Sequence, residues 1–136
     1  RRMTRREGRE LAFILLFEKS FTGEAVADIL AGAREARDVE EDGFALSLAQ
    51  GAEREADAID EAITAFSHKW SKNRISRVSL AILRLAVYEM LFVEDIPVSV
   101  SINEAVELAK KYGGDEDSSF VNGVLGGISR RDKETP

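Results

Sequence analysis

With 136 residues and 44% apolar content, the chain is long enough to form one domain and bury a core without help from metals or disulfides. It contains no cysteine, which excludes a disulfide framework, a thiol nucleophile and a cysteine metal site, and which fits a reducing compartment such as the cytoplasm. The longest apolar run, residues 11–17, is far shorter than the roughly 20 residues of a membrane span, so we expect a soluble protein with no membrane partner.

The charge of the chain is unevenly distributed. The net charge is −6, but residues 1–9 contain five arginines and one glutamate, a local charge of +4 that leaves −10 for the remainder. Such an end is either a basic patch for an anionic partner or a solvated terminus that aids solubility. Composition alone leaves both open.

The first helix is predicted to begin near Arg5, because Thr4 and Glu7 have the spacing of a capping box and an apolar run follows. This places arginines on the first turns, where cations oppose the helix macrodipole by a few tenths to about 1 kcal/mol. Local helix stability therefore does not explain them, whereas an anionic partner would. Since residues 11–17 are apolar on all sides, only the start of this helix should be exposed.

The next segments carry weaker signals. Thr22 can cap a second helix, residues 34–42 are charged and predict a loop or frayed end, and residues 44–66 have a helical period. We predict a break in that last stretch near residues 51–57, where Asp57 is a usable cap, because an uninterrupted helix would be long for this domain. Trp70 then falls in a short connector.

The second half has clearer boundaries. Ser76 can cap a helix that ends before Pro97, and the pair Ser101 and Glu104 predicts a further helix from Ile102, stopped by glycines at 113 and 114. Residues 115–118 then predict a tight acidic loop that leads into a last helix with an apolar stripe. No long segment alternates with a period of two, so we predict an all-α chain of about six or seven helices.

Residues for catalysis are missing. His68 is the only histidine and is more simply a structural residue than a ligand, and the glycine pairs match neither phosphate-binding fingerprint. We therefore expect no enzymatic activity, no metal site and no cofactor.

Four segments together resemble the NusB family of transcription antitermination factors: AILRLAVYE at 81–89, IP at 96–97, INEAVELAK at 102–110 and FVNGVL at 120–125. The resemblance implies one all-α domain of two packed helical bundles, roughly residues 1–70 and 71–136. It also implies binding of boxA-type single-stranded RNA together with the ribosomal small-subunit protein NusE, in support of ribosomal RNA transcription. Other Nus factors and RNA polymerase would be indirect partners.

The resemblance also implies functional residues. The RNA surface would fall on Arg2, Arg5, Arg6, Arg9, Tyr112, Glu116, Asp117 and Phe120, and the partner surface on the exposed side of the helix after Ser76, around Arg74, Ser79 and Glu89. Arginines beside an exposed aromatic ring suit single-stranded RNA, because cations hold phosphates and bases stack on rings. For Phe120 the apolar pattern alone favours core packing, and the resemblance favours an accessible ring edge. Ser119 departs from the family, which often has a basic residue there, and Arg77 replaces a frequent proline.

Two other classes of function stay open at this point. One is the helical RNA-recognition domain that some ribosomal-RNA methyltransferases carry ahead of a strand-rich catalytic domain, of which these 136 residues show no sign. The other is a helical protein-interaction module without RNA binding, which the net negative charge would suit. Both a monomer and a homodimer are plausible in this family.

Overall fold

The computed structural model describes residues 3–37, 43–67 and 75–134, which contain seven helices and no strand. The predicted all-α class is therefore confirmed. The helices are α1 (Arg5–Thr22), α2 (Val26–Arg37), α3 (Gly43–Arg54), α4 (Ala56–Phe66), α5 (Arg77–Phe92), α6 (Val98–Tyr112) and α7 (Asp115–Glu134).

Helix α5 is the centre of the molecule. It packs against α1, α3, α4, α6 and α7, and most of its residues from Ala81 to Glu89 are buried. A helix that is apolar on nearly every side is stable only when other helices surround it, and that is the arrangement here. The buried apolar side chains form one continuous cluster, to which α7 contributes the predicted stripe of Phe120, Val121, Val124, Leu125 and Ile128.

Several local predictions are confirmed. Thr4 and Glu7 form the capping box of α1, with the Thr4 amide donating to Glu7 Oε1 at 2.9 Å and the Glu7 amide donating to Thr4 Oγ1 at 3.1 Å. Ser76 caps α5 by accepting from the Ser79 amide at 3.0 Å. The stretch from residue 44 to 66 is broken at Glu55, within the predicted range.

Three predicted helix starts are wrong. Thr22 belongs to the last turn of α1, which ends at Gly23 in the left-handed conformation (φ 73°). Asp57 lies inside the first turn of α4 and Glu55 holds the cap position. Helix α6 begins at Val98, a turn earlier than predicted, because Pro97 takes the cap position and the Ser101 hydroxyl is used elsewhere.

Some predictions fall outside the described residues. They concern His68, the Trp70 connector and the end of the charged stretch at 38–42. The acidic residues at 115–117 are described, and they form the first turn of α7 instead of a loop, where their charge favours the helix.

Gly51 lies at a close approach of α3 to α5, because a Cβ atom at this position would collide with the ring of the buried Tyr88. We predict that Gly51→Ala destabilises the protein by about 1–3 kcal/mol through overpacking. Gly32→Ala is the matched control: this helical glycine has open space around it, so alanine should stabilise by about 0.4–1 kcal/mol. Chemical denaturation of both variants provides the measurement, and equal effects would contradict the close packing.

Candidate nucleic-acid interface

The amino-terminal turn of α1 presents two arginines at the surface. The Arg6 side chain is 71% exposed, and its Nε donates to the Glu104 carboxylate of α6 at 3.1 and 3.3 Å. The Arg5 guanidinium lies 4.0 Å from the centroid of the Phe44 ring of α3. Both cations are therefore oriented by neighbouring helices while they remain accessible. Arg2 lies outside the described residues.

The end of α6 lies beside the middle of α1. Lys111 Nζ is 2.8 Å from Glu10 Oε2, and the Tyr112 ring packs 4.9 Å from the Phe13 ring of α1 and remains partly exposed. Burial raises the pKa of Tyr112, and its hydrogen bond with Glu10 adds to that rise, so the phenol stays neutral. The structure thus brings Arg6, Lys111 and Tyr112 to one surface along α1 and α6, which we call the α1/α6 face.

The turn between α6 and α7 is held by Asp117. Its Oδ2 accepts from the Gly114 amide at 2.8 Å, and its Oδ1 accepts from the hydroxyls of Ser76 at 2.8 Å and Ser79 at 2.7 Å. The Gly114 hydrogen bond, followed by those from Ser79 and Ser76, lowers the pKa of the Asp117 carboxyl against the opposing effect of burial. This carboxylate is ionised and ties α7 to the start of α5. Its neighbour Glu116 is exposed.

Arg9 and Phe120 are less accessible than an RNA contact requires. The Arg9 side chain is only 7% exposed and its Nε lies 3.0 Å from Glu89 Oε1, whose own side chain is 2% exposed. Ser101 donates to the same Glu89 oxygen at 3.1 Å. Phe120 is 8% exposed, so its ring belongs to the core, as the apolar pattern alone indicated. A direct phosphate contact by Arg9 would need an accessible guanidinium, and the structure buries this one.

Burial raises the pKa of the Glu89 carboxyl, and the Arg9 charge and the hydrogen bonds from Arg9 and Ser101 oppose that rise. The pair joins α1, α5 and α6 in the interior. Our expectation that Ser79 and Glu89 lie on the exposed side of α5 is wrong, since both are buried and both are hydrogen-bonded inside the protein. Arg74, the third predicted partner residue, is outside the described part of the chain.

Sequence reasoning missed Lys111 as a member of this surface. Lysines at 110 and 111 are the cations that favour a helix end, and Lys110 does lie exposed there beside Glu107, at 3.6 Å. Lys111 instead pairs with Glu10 of α1. Its Nζ also lies 5.5 Å from the centroid of the neighbouring Tyr112 ring. A lysine next to an aromatic residue at a helix end was the available signal, but its partner Glu10 is a hundred residues away in the sequence.

Within the described residues no group of three or more histidine, aspartate or glutamate side chains could hold a metal ion. Nor does any described helix combine the length and apolar character required to cross a membrane. The described residues thus form an all-helical structure in which exposed cations and an accessible ring share one face.

Comparison with known proteins specifies the class. The NusB family profile matches residues 6–130, so the chain belongs to the NusB family. It is 47% identical over 123 residues to the transcription antitermination protein NusB of Trichlorobacter lovleyi, covering 89% of this chain and 87% of that protein. The NusB protein of Clostridium novyi is 42% identical, with 93% and 98% covered. A crystal structure of the antitermination factors NusB and NusE in complex with dsRNA superposes with a TM-score of 0.83 at 28% identity, covering 93% of this chain and 96% of that one.

The buried ion pair generates a stability prediction. Glu89→Ala leaves the Arg9 guanidinium buried without its partner, and we expect a loss of about 3–5 kcal/mol in the free energy of unfolding. Glu107→Ala is the matched control, because that glutamate pairs with Lys110 on the surface and its removal should cost less than about 1 kcal/mol.

The double variant Arg9→Met with Glu89→Met should recover most of that loss, because it buries no charge. Denaturant titration of the four proteins measures these differences. If Glu89→Ala unfolds at the same denaturant concentration as the control, the pair contributes nothing to the fold.

Proposed function

We propose that this protein is an antitermination factor that binds boxA-type single-stranded RNA together with the ribosomal protein NusE in support of ribosomal RNA transcription. The single observation that carries the RNA assignment is the α1/α6 face, where Lys111 lies beside the accessible ring of Tyr112 and the exposed Arg6 lies further along the same two helices. Cations that hold phosphates and a ring on which a base can stack are the two elements of single-strand binding.

The proposed contacts differ in kind. Arg5, Arg6 and Lys111 are accessible cations for phosphates, and Tyr112 is the stacking ring. Glu116, which is exposed at the start of α7, remains a candidate for accepting hydrogen bonds from base amino groups. Asp117, Arg9 and Phe120 would act indirectly, by holding the surface in place from inside. Because Ser79 and Glu89 are buried, we propose that the partner surface lies on the acidic remainder of the chain instead.

The names of the relatives help to choose between this function and the two alternatives, a methyltransferase domain and a protein-interaction module. The relatives are named as transcription antitermination proteins and not as methyltransferases, and this chain covers 98% of the Clostridium novyi protein. A protein-interaction module without RNA binding would not account for the exposed cations and the accessible ring that share the α1/α6 face. Because transcription takes place in the cytoplasm of bacteria such as those relatives, we propose that location for this protein.

Replacement of Arg6 should reveal a phosphate contact. We predict that Arg6→Ala weakens RNA binding nearly equally for all sequences and makes the plot of log affinity against log salt shallower by about 0.7. Arg54→Ala is the matched control, since Arg54 is also an exposed arginine paired with a glutamate, but lies at the end of α3. Filter binding at several salt concentrations measures both slopes, and an unchanged slope for Arg6→Ala would place this side chain outside the RNA site.

Binding of the partner should be cooperative with binding of RNA. Linkage requires that NusE tighten RNA binding by the same factor by which RNA tightens NusE binding. We expect a shared factor of about 5 to 150, which is the usual range of coupling. Calorimetric titration of NusE with and without boxA-type RNA measures it, and identical NusE affinities would rule out cooperation even if both complexes form.

A further inference from the structure

Arg5 differs from the neighbouring exposed cations in the kind of partner that holds it. Arg6 and Lys111 are each paired with a carboxylate of the adjacent helix, at 3.1 and 2.8 Å. Arg5 forms no ion pair with any residue in the described part of the chain. Its guanidinium lies instead over the Phe44 ring of α3, 4.0 Å from the ring centroid.

The Phe44 ring is itself fixed in place. It is half-buried near the start of α3 and packs against the hydrophobic core. It also contacts α1 one turn after Arg5, where the Arg9 guanidinium lies 5.6 Å from the ring centroid. Arg9 is in turn held in the interior by its ion pair with Glu89. The ring is therefore a rigid support for the exposed guanidinium of Arg5.

An aromatic ring holds a cation in a different way from a carboxylate. The negative face of the ring attracts the guanidinium, but the ring has no net charge and so does not neutralise it. The five N–H donors of arginine lie in the plane of the guanidinium, so a group stacked on a ring keeps them directed sideways. A carboxylate takes up donors, as Glu104 does with Nε of Arg6. Arg5 thus keeps both its full charge and its donors for a ligand.

A contact between an exposed arginine and an aromatic ring is common in proteins and does not by itself indicate a ligand. Arg131 of α7, for example, has its guanidinium 5.9 Å from the centroid of the Phe66 ring of α4. The contact between Arg5 and Phe44 differs because it is closer and because Arg5 is the neighbour of Arg6, a cation of the proposed RNA surface. This second difference connects the Phe44 ring to the proposed function.

We propose that Phe44 is a positioning residue of the RNA-binding surface, because its ring holds the Arg5 guanidinium in one orientation, ready for a phosphate. The inference rests on the proposed function and adds α3 to the helices that form the interface. Without the ring, Arg5 would sample several rotamers and would lose that freedom on binding, which costs affinity. The gain from this preorganisation is limited by the strength of the cation–π contact, which corresponds to about 2- to 5-fold in affinity.

The test is a double-mutant cycle of Phe44→Leu and Arg5→Ala, in which boxA-type RNA is titrated at several salt concentrations. Phe44→Leu should weaken binding about 2- to 5-fold at an unchanged salt slope, because Arg5 still reaches its phosphate and displaces the same counterions. Arg5→Ala should weaken binding and make the slope shallower by about 0.7. In the Arg5→Ala background, Phe44→Leu should have no further effect. A residue that only stabilises the fold would weaken binding equally in both backgrounds.

Two further variants serve as controls. Phe44→Tyr keeps the aromatic face and should retain the wild-type affinity for RNA. Phe66→Leu, the matched control, removes the ring from another arginine–aromatic pair and should leave the RNA affinity unchanged. Circular dichroism of each variant checks its folding, and Phe44→Met takes the place of Phe44→Leu if the latter does not fold.

Three results would overturn the inference while the proposed function stands. Equal affinities of the wild-type and Phe44→Leu proteins would show that the ring does not orient Arg5 for RNA. Tighter binding by Phe44→Leu would show that the ring competes with RNA for the guanidinium. An equal loss in both backgrounds of the cycle would assign Phe44 to the fold alone. If the wild-type protein binds no boxA-type RNA, with or without NusE, the proposed function fails as well.

Discussion

The buried ion pair of Arg9 and Glu89 is the interaction on which the arrangement of this protein depends. It joins α1 to α5, and the Ser101 hydroxyl extends it to α6. Two buried charges are costly to desolvate, so such a pair is weak evidence for added stability. We infer that its effect is on specificity, because a different register of α1 would leave a charge buried alone at a cost of several kcal/mol. The pair thereby sets where Arg5 and Arg6 emerge.

A second carboxylate, that of Asp117, positions the part of the candidate site at the end of α6. Asp117 accepts three hydrogen bonds, one from the turn after α6 and two from serines at the start of α5. Because α5 is the helix that most others pack against, this bond set places the end of α6, with Lys111 and Tyr112, relative to the core. The accessible residues lie on the helix ends, and the residues that position them lie beneath.

How much of the structure the sequence predicts depends on how far apart along the chain the interacting residues lie. The caps at Thr4 and Ser76 were predictable because both partners lie within three residues. The same rule failed at Ser101, whose spacing to Glu104 imitates a capping box but whose hydroxyl bonds to Glu89, twelve residues earlier on another helix. Arg9 failed for the same reason, since its partner is eighty residues away and no local pattern distinguishes a buried arginine from an exposed one. The fold class and the family could therefore be predicted from the sequence, but the accessibility of individual charged side chains could not.

Electrostatics connects the two proposed ligands. Outside residues 1–9 the chain carries −10, so its field as a whole repels RNA, and attraction is confined to places where cations outnumber acidic groups. At the α1/α6 face Arg6 and Lys111 neutralise Glu104 and Glu10, and the exposed Arg5 adds a further positive charge. Screening over about 8–10 Å at physiological salt limits the repulsion but does not remove it within one small domain. A basic protein bound to the acidic remainder would lower that repulsion directly, so cooperation between the two ligands requires no change in the shape of this protein.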